Sequence, residues 1–265
     1  DVVSLGVGEP DFLTPWNVRE EAIYSLEKGR TVYTANAGLM ELRKELSHYL
    51  KRKYSLEYDP ASQLLITVGG SEAIDVALRT ILMPGDEVLI PEPSFVSYKP
   101  CAIMAGGKAV VVPLHGENGF KLTVRDLEGL VTEKTKVLVF PYPGNPTGAT
   151  MSKKDMEELC RFICEKDLFV LSDEIYAELT YDEPHTSIAS MPGMYERTLV
   201  INGFSKAFSM TGWRLGYAAG PKELLEQMTK VHQFAIMCAP TTSQYAAIEA
   251  LKNCDRAVEE MKQEY

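Results

Sequence analysis

An α/β fold of three layers, α/β/α, with a mainly parallel central sheet is predicted by three observations. Short apolar runs alternate along the chain with amphipathic stretches. The runs are continuously apolar, the pattern of strands covered on both faces. The 265 residues suffice for one large domain with a substantial core.

Taken in order, residues 64–68 read as a strand, followed by a helix over about 71–82. A strand at 87–90 opens after the turn Pro84-Gly85-Asp86, and another covers 109–113. A strand at 137–140 precedes a helix over 152–165, with Ser152 as its N-cap. Strands follow at 169–172, 198–201 and 216–219, then a helix over about 222–234. Residues 1–60 differ: loops rich in Gly and Pro lead to a helix at about 39–53. They read as an N-terminal segment packed on a main domain of 61–265. Residues 241–265 read as one helix that stops without cap or breaker. Both ends look cut, so the chain is expected to be part of a longer protein or a shortened form of one.

Composition narrows the function classes. Hydrophobic residues make up 45% and charged residues 24%, and the mean hydropathy is −0.11, ordinary values for a globular protein. No apolar run approaches the roughly 18 residues of a membrane span. The first residues lack the basic start and apolar block of a signal peptide. A formal charge of −10 argues against a nucleic-acid partner. Five scattered cysteines read as reduced thiols of a cytoplasmic protein, and Cys160 and Cys164 as apolar packing. No His or Cys has a companion at metal-ligand spacing, so no metal site is expected, and the four histidines read as surface or structural residues.

Five segments carry candidate chemistry, each weak alone. Asn202-Gly203-Phe204-Ser205-Lys206 follows a strand, and Arg214 lies eight positions on. A lysine just past a buried strand is partly desolvated, which lowers its pKa and leaves a nucleophilic amine. The arginine offers a bidentate grip on phosphate. Taken alone, a Ser-Lys pair and a loop arginine are usually surface residues. Asp173 ends the apolar strand of Val170-Leu171-Ser172-Asp173-Glu174-Ile175-Tyr176; a strand-end Asp taken alone more often caps a helix. Parallel sheets bind ligands at such strand ends. In Pro143-Gly144-Asn145-Pro146-Thr147-Gly148 the loop has few conformations, and Asn145 is its central donor and acceptor. Thr67-Val68-Gly69-Gly70-Ser71-Glu72 is a strand, two glycines and a helix start, whose free amides suit phosphate. Phe95, in Pro93-Ser94-Phe95-Val96-Ser97-Tyr98, is an aromatic that follows a strand and suits a flat ring.

Their order and joint presence resemble the fold type I pyridoxal-phosphate (PLP) enzymes, specifically the class I/II aminotransferase family. The resemblance runs from Gly6-Val7-Gly8-Glu9-Pro10-Asp11-Phe12 to about Tyr265. Its most specific elements are the 143–148 loop, Ser172-Asp173-Glu174-Ile175-Tyr176, and Ser205-Lys206 with Thr211-Gly212-Trp213-Arg214.

The resemblance implies that Lys206 is the Schiff-base lysine and proton shuttle, and that Asp173 pairs with the pyridine nitrogen. It implies that Asn145 and Tyr176 hydrogen-bond the ring oxygen and that Phe95 covers the ring face. Gly70, Ser71 and Glu72 match the phosphate-cradling helix start, mainly through backbone amides, and Arg214 matches the phosphate arginine. Gly8 matches the backbone beside the substrate carboxylate, where Asn145 also reaches. Tyr33 matches a tyrosine that touches the neighbouring subunit's phosphate, which implies a homodimer with shared sites. The activity implied is amino transfer from an L-amino acid to a 2-oxo acid.

Two departures stand out. Many relatives carry a serine three residues before the lysine; here it is Gly203, with Ser205 as a candidate substitute. The resemblance also implies a smaller C-terminal domain with a carboxylate-clamping arginine, which these residues do not include. The rival readings are a PLP lyase of β-elimination type, a non-catalytic PLP module, and an inactive PLP-binding domain.

Overall fold

The structure is a computed structural model and describes residue 6 and residues 8–265. Residues 1–5, read above for a leader, and Val7 of the 6–12 run lie outside the described residues.

The elements in chain order are α1 (Trp16–Glu27), α2 (Met40–Tyr54), β1 (Leu64–Thr67), α3 (Gly69–Ile81), β2 (Glu87–Glu92), α4 (Tyr98–Met104), β3 (Lys108–Pro113), α5 (Val124–Leu127), β4 (Thr135–Phe140), α6 (Lys153–Glu165), β5 (Phe169–Asp173), β6 (Thr198–Gly203), β7 (Gly216–Ala219), α7 (Lys222–Ala235), α8 (Thr241–Asn253) and α9 (Asp255–Glu264). The strands form one seven-stranded sheet in the order β1-β7-β6-β5-β4-β2-β3. β2 to β6 pair in parallel, and β7 runs antiparallel to both β1 and β6. All strands but β7 therefore end at the same edge of the sheet.

Alternate residues of each strand feed opposite layers. Leu65, Leu171, Leu199 and Ile201 pack with α3, α4 and α7. Leu64, Ile66 and Val200 face α2 and α8, while Leu138, Phe140 and Val170 face α6. Each fully buried Leu or Ile contributes about 1.5–3 kcal/mol relative to exposure, which makes a two-sided sheet the stable arrangement for these runs. α6 starts where Ser152 and Asp155 form a reciprocal capping box.

The structure corrects the sequence reading in two places. The first sixty residues contain a second helix, α1, packed on α8. Its buried stripe is only Val18, Ala22 and Ser25, while Trp16, Ile23 and Leu26 face solvent, so no clear helical periodicity was available. The stretch 241–265 is two helices. Cys254 breaks them with φ −108° and ψ 10°, and it is buried with its Sγ 3.4 Å from Asn17 Nδ2. No helix among the described residues is long and apolar enough to cross a membrane.

Candidate active site

The shared C-terminal edge of the parallel strands opens into a cavity of about 530 Å³. Gly8, Gly70, Ser71, Phe95, Asn145, Asp173, Tyr176, Ser205, Lys206 and Arg214 all line it. These residues come from five different strand ends and the N-terminal segment.

Lys206 sits in the turn after β6. Its Nζ donates to the Gly8 carbonyl oxygen and lies 5.8 Å from the centre of the Tyr176 ring. Burial lowers its pKa below the ordinary lysine value, against an opposing pull from Glu9. The amine is thereby shifted toward its nucleophilic form.

Asp173 is the last residue of β5 and is buried. Its Oδ2 accepts from Tyr98 Oη at 2.7 Å and its Oδ1 from the Ile175 N–H at 3.2 Å. Burial raises its pKa above the ordinary carboxylate value, although both hydrogen bonds pull the other way. No Lys, Arg or His forms an ion pair with it among the described residues. A buried carboxylate of this kind is best stabilised by a cationic partner inside the cavity. Nearby, Asn145 Nδ2 lies 3.5 Å from Tyr176 Oη, so the two groups converge on one point.

The opposite end of the cavity suits an anion. Val68, the N-cap of α3, supplies no side-chain acceptor. The first amides of the helix, at Gly69, Gly70 and Ser71, therefore lack a side-chain cap. Gly69 takes φ +76°, and the Arg214 guanidinium packs so closely on it that an added Cβ would meet Nη2 at 2.6 Å. Arg214 itself spends one hydrogen bond on the Thr211 carbonyl, at 3.3 Å. Helix amides and a guanidinium together suit an anion such as phosphate.

This cup depends on close backbone packing. A Cβ on Gly216 would fall 2.6 Å from the Gly69 carbonyl carbon and 2.7 Å from the Gly70 nitrogen. Gly203 pairs with Gly216 across β6 and β7, and its Cβ would stand 3.0 Å from Gly216 Cα and from the Leu215 oxygen. That is the physical reason a side chain is disfavoured at 203, while Ser205 reaches the cavity. Gly216→Ala is expected to lower stability by about 1–3 kcal/mol through overpacking, measured by denaturant unfolding.

Residues 1–265 match the family described as aminotransferase class I and II. The chain belongs to that family. It is 49% identical over 268 residues to an aspartate aminotransferase of Pyrococcus abyssi, covering 100% of this chain and 69% of the relative. It is 48% identical over 267 residues to aromatic-amino-acid aminotransferase 2 of Thermococcus litoralis, again covering 100% and 69%. The crystal structure of an aromatic aminotransferase from Pyrococcus horikoshii superposes with a TM-score of 0.97 at 48% identity, over 100% of this chain and 72% of that one. The α/β architecture is thus that of solved aminotransferases, and the chain is an enzyme of this kind.

Two sequence-read residues of this class I/II aminotransferase lie outside the cavity lining. Glu72 turns its carboxylate to His232 and to the Val68 N–H. Tyr33 is 75% exposed, on a turn held by Thr241 Oγ1 donating to the Val32 oxygen and Asn36 Nδ2 donating to the Met237 oxygen. The structure also brings in residues that the sequence reading did not assign. Tyr98 is the chief one, buried and bonded to Asp173, with Phe95 edge-on to it at 5.7 Å. Glu9 and Thr211, joined at 3.0 Å, line the mouth. Tyr98 stood in the segment quoted for Phe95, and an aromatic three residues further on at a helix start was its only signal.

Proposed function

We propose that this aminotransferase uses pyridoxal 5′-phosphate, held covalently by Lys206, to move an amino group from an L-amino acid to a 2-oxo acid. One observation carries the reading: a partly desolvated amine, a buried carboxylate without a cation, and an uncapped helix start beside Arg214 surround a single cavity. Those groups fit the amine-reactive, cationic and anionic parts of the cofactor in turn. When bound, the cofactor supplies an aldehyde that condenses with amines and a ring that accepts electrons from the substrate Cα.

The chain's residues do the rest. Gly70 and Ser71 amides, Ser205 and Arg214 bind the phosphate. Asp173, oriented by Tyr98, keeps a proton on the ring nitrogen. Asn145 and Tyr176 orient the ring oxygen, and Phe95 covers one ring face. Lys206 Nζ would anchor the cofactor and, in its neutral form, would serve as the general base for the substrate Cα proton. The Gly8 backbone and Asn145 orient the substrate carboxylate. In this reading residues 61–265 are the cofactor-binding domain, and the described part of residues 1–60 packs on it. The exposed apolar group Val32, Tyr33, Phe234 and Met237 supports a homodimer in which Tyr33 completes the neighbouring site. Five unpaired cysteines support a cytoplasmic location.

The test is the visible spectrum of the purified chain with PLP, before and after glutamate. A band that borohydride fixes onto Lys206, and that glutamate bleaches, supports the reading. No band overturns it. Ammonia and pyruvate released from cysteine, with no amino transfer, would favour the lyase.

A further inference from the structure

Close to the uncapped start of α3 lies a buried pair that the proposed chemistry does not use. His232, on α7, is fully buried, and its Nδ1 is 2.6 Å from Glu72 Oε1. Glu72 lies in the first turn of α3, and its Oε2 accepts the Val68 N–H. Neither side chain lines the cavity. His232 Nε2 is buried without a hydrogen-bond partner among the described residues, so the ring proton sits on Nδ1 and is donated to Glu72.

The arrangement solves a problem specific to an anion site. A carboxylate in the first turn of a helix can turn back on the N-cap amide or on the amides of the turn itself. In the second position it would compete with a phosphate for Gly70 and Ser71. Here one oxygen takes the N-cap amide of Val68 and the other is held by His232, which keeps the carboxylate on the N-cap. α7, which carries His232, packs directly on α3. The carboxylate rotamer, and with it the backbone at Val68, is therefore set from a second helix.

We infer that His232 is a positioning residue for the phosphate end of the site: it holds Glu72 away from the α3 amides and leaves them for the ligand. The inference rests on the proposed use of a phosphate-bearing cofactor. It is tested on the full 265-residue chain by titrating PLP and pyridoxal, which lacks the phosphate. His232→Phe removes the donor, and His232→Asn keeps one close to the Nδ1 position. For His232→Phe, PLP affinity is expected to fall about tenfold, the loss of one charged hydrogen bond, with pyridoxal affinity nearly unchanged. His232→Asn should recover most of the loss. Equal weakening of both ligands, or of neither, overturns the inference. Should His232→Phe not fold, Glu72→Leu removes the competing carboxylate itself, so PLP affinity is expected to hold or rise with pyridoxal unchanged, and a selective loss of PLP there overturns the inference. A parent chain that binds PLP no better than pyridoxal defeats the phosphate-site reading itself, and is distinguished by needing no variant.

Discussion

Lys206→Ala abolishes amino transfer, with a fall of about 10⁴-fold or more, because the residue serves both as covalent anchor and as proton carrier. PLP still binds, through Arg214 and the α3 amides, but borohydride no longer fixes it to the protein. Single-turnover kinetics with glutamate measure the loss, and undiminished turnover would sink the assignment. The parent carries a pH signature as well. Attachment requires the neutral amine, and burial lowers the Lys206 pKa. The attachment rate should therefore level off at a pH below the ordinary lysine value of about 10.4.

Asp173→Asn has two effects of opposite sign. In turnover it costs about 10²–10³-fold, the scale for removing one preorganised electrostatic group. In the cofactor-free chain it stabilises. The folded pKa of Asp173 is raised, chiefly by burial, so the folded state holds this proton more tightly than the unfolded state. The parent's stability therefore falls as pH rises from the ordinary carboxylate value through the raised one, and stays low above it. Asparagine carries no such penalty. Its advantage in denaturant unfolding is expected in full above the raised folded value and should vanish below the ordinary carboxylate value of about 4, where the carboxylate is protonated in both states. A stability difference that did not change with pH would contradict the assignment of the burial cost to this group.

The sheet was legible because its strands are unbroken apolar runs ended by Gly, Pro or a polar residue, as at Val137–Val139 before Phe140-Pro141 or Leu199–Ile201 before Asn202-Gly203. α6 was legible down to its first turn because Ser152 and Asp155 are a local capping signal. α1 was not, since its buried stripe is narrow and its outer face carries large apolar residues. The break at Cys254 left no trace either: cysteine is neither a breaker nor a cap, and its burial against Asn17 is a contact 237 residues away in sequence. In the site, the segments that resemble known motifs were visible as motifs. Tyr98 and His232 were not, because each is defined by one side chain far off in sequence, Asp173 or Glu72. A periodicity argument carries no information on such pairs.

The reversed strand β7 places Lys206 and Arg214 on one short connection beside the same cavity. A parallel β7 would require the chain to recross the sheet, usually through a helix, before entering the strand. Instead Lys206 and Arg214 share one loop, residues 204–215, whose two ends are zipped together at Gly203 and Gly216. Loop closure of that length is cheap in chain entropy. The pairing of Gly203 with Gly216 therefore fixes both ends of the segment that carries the two groups.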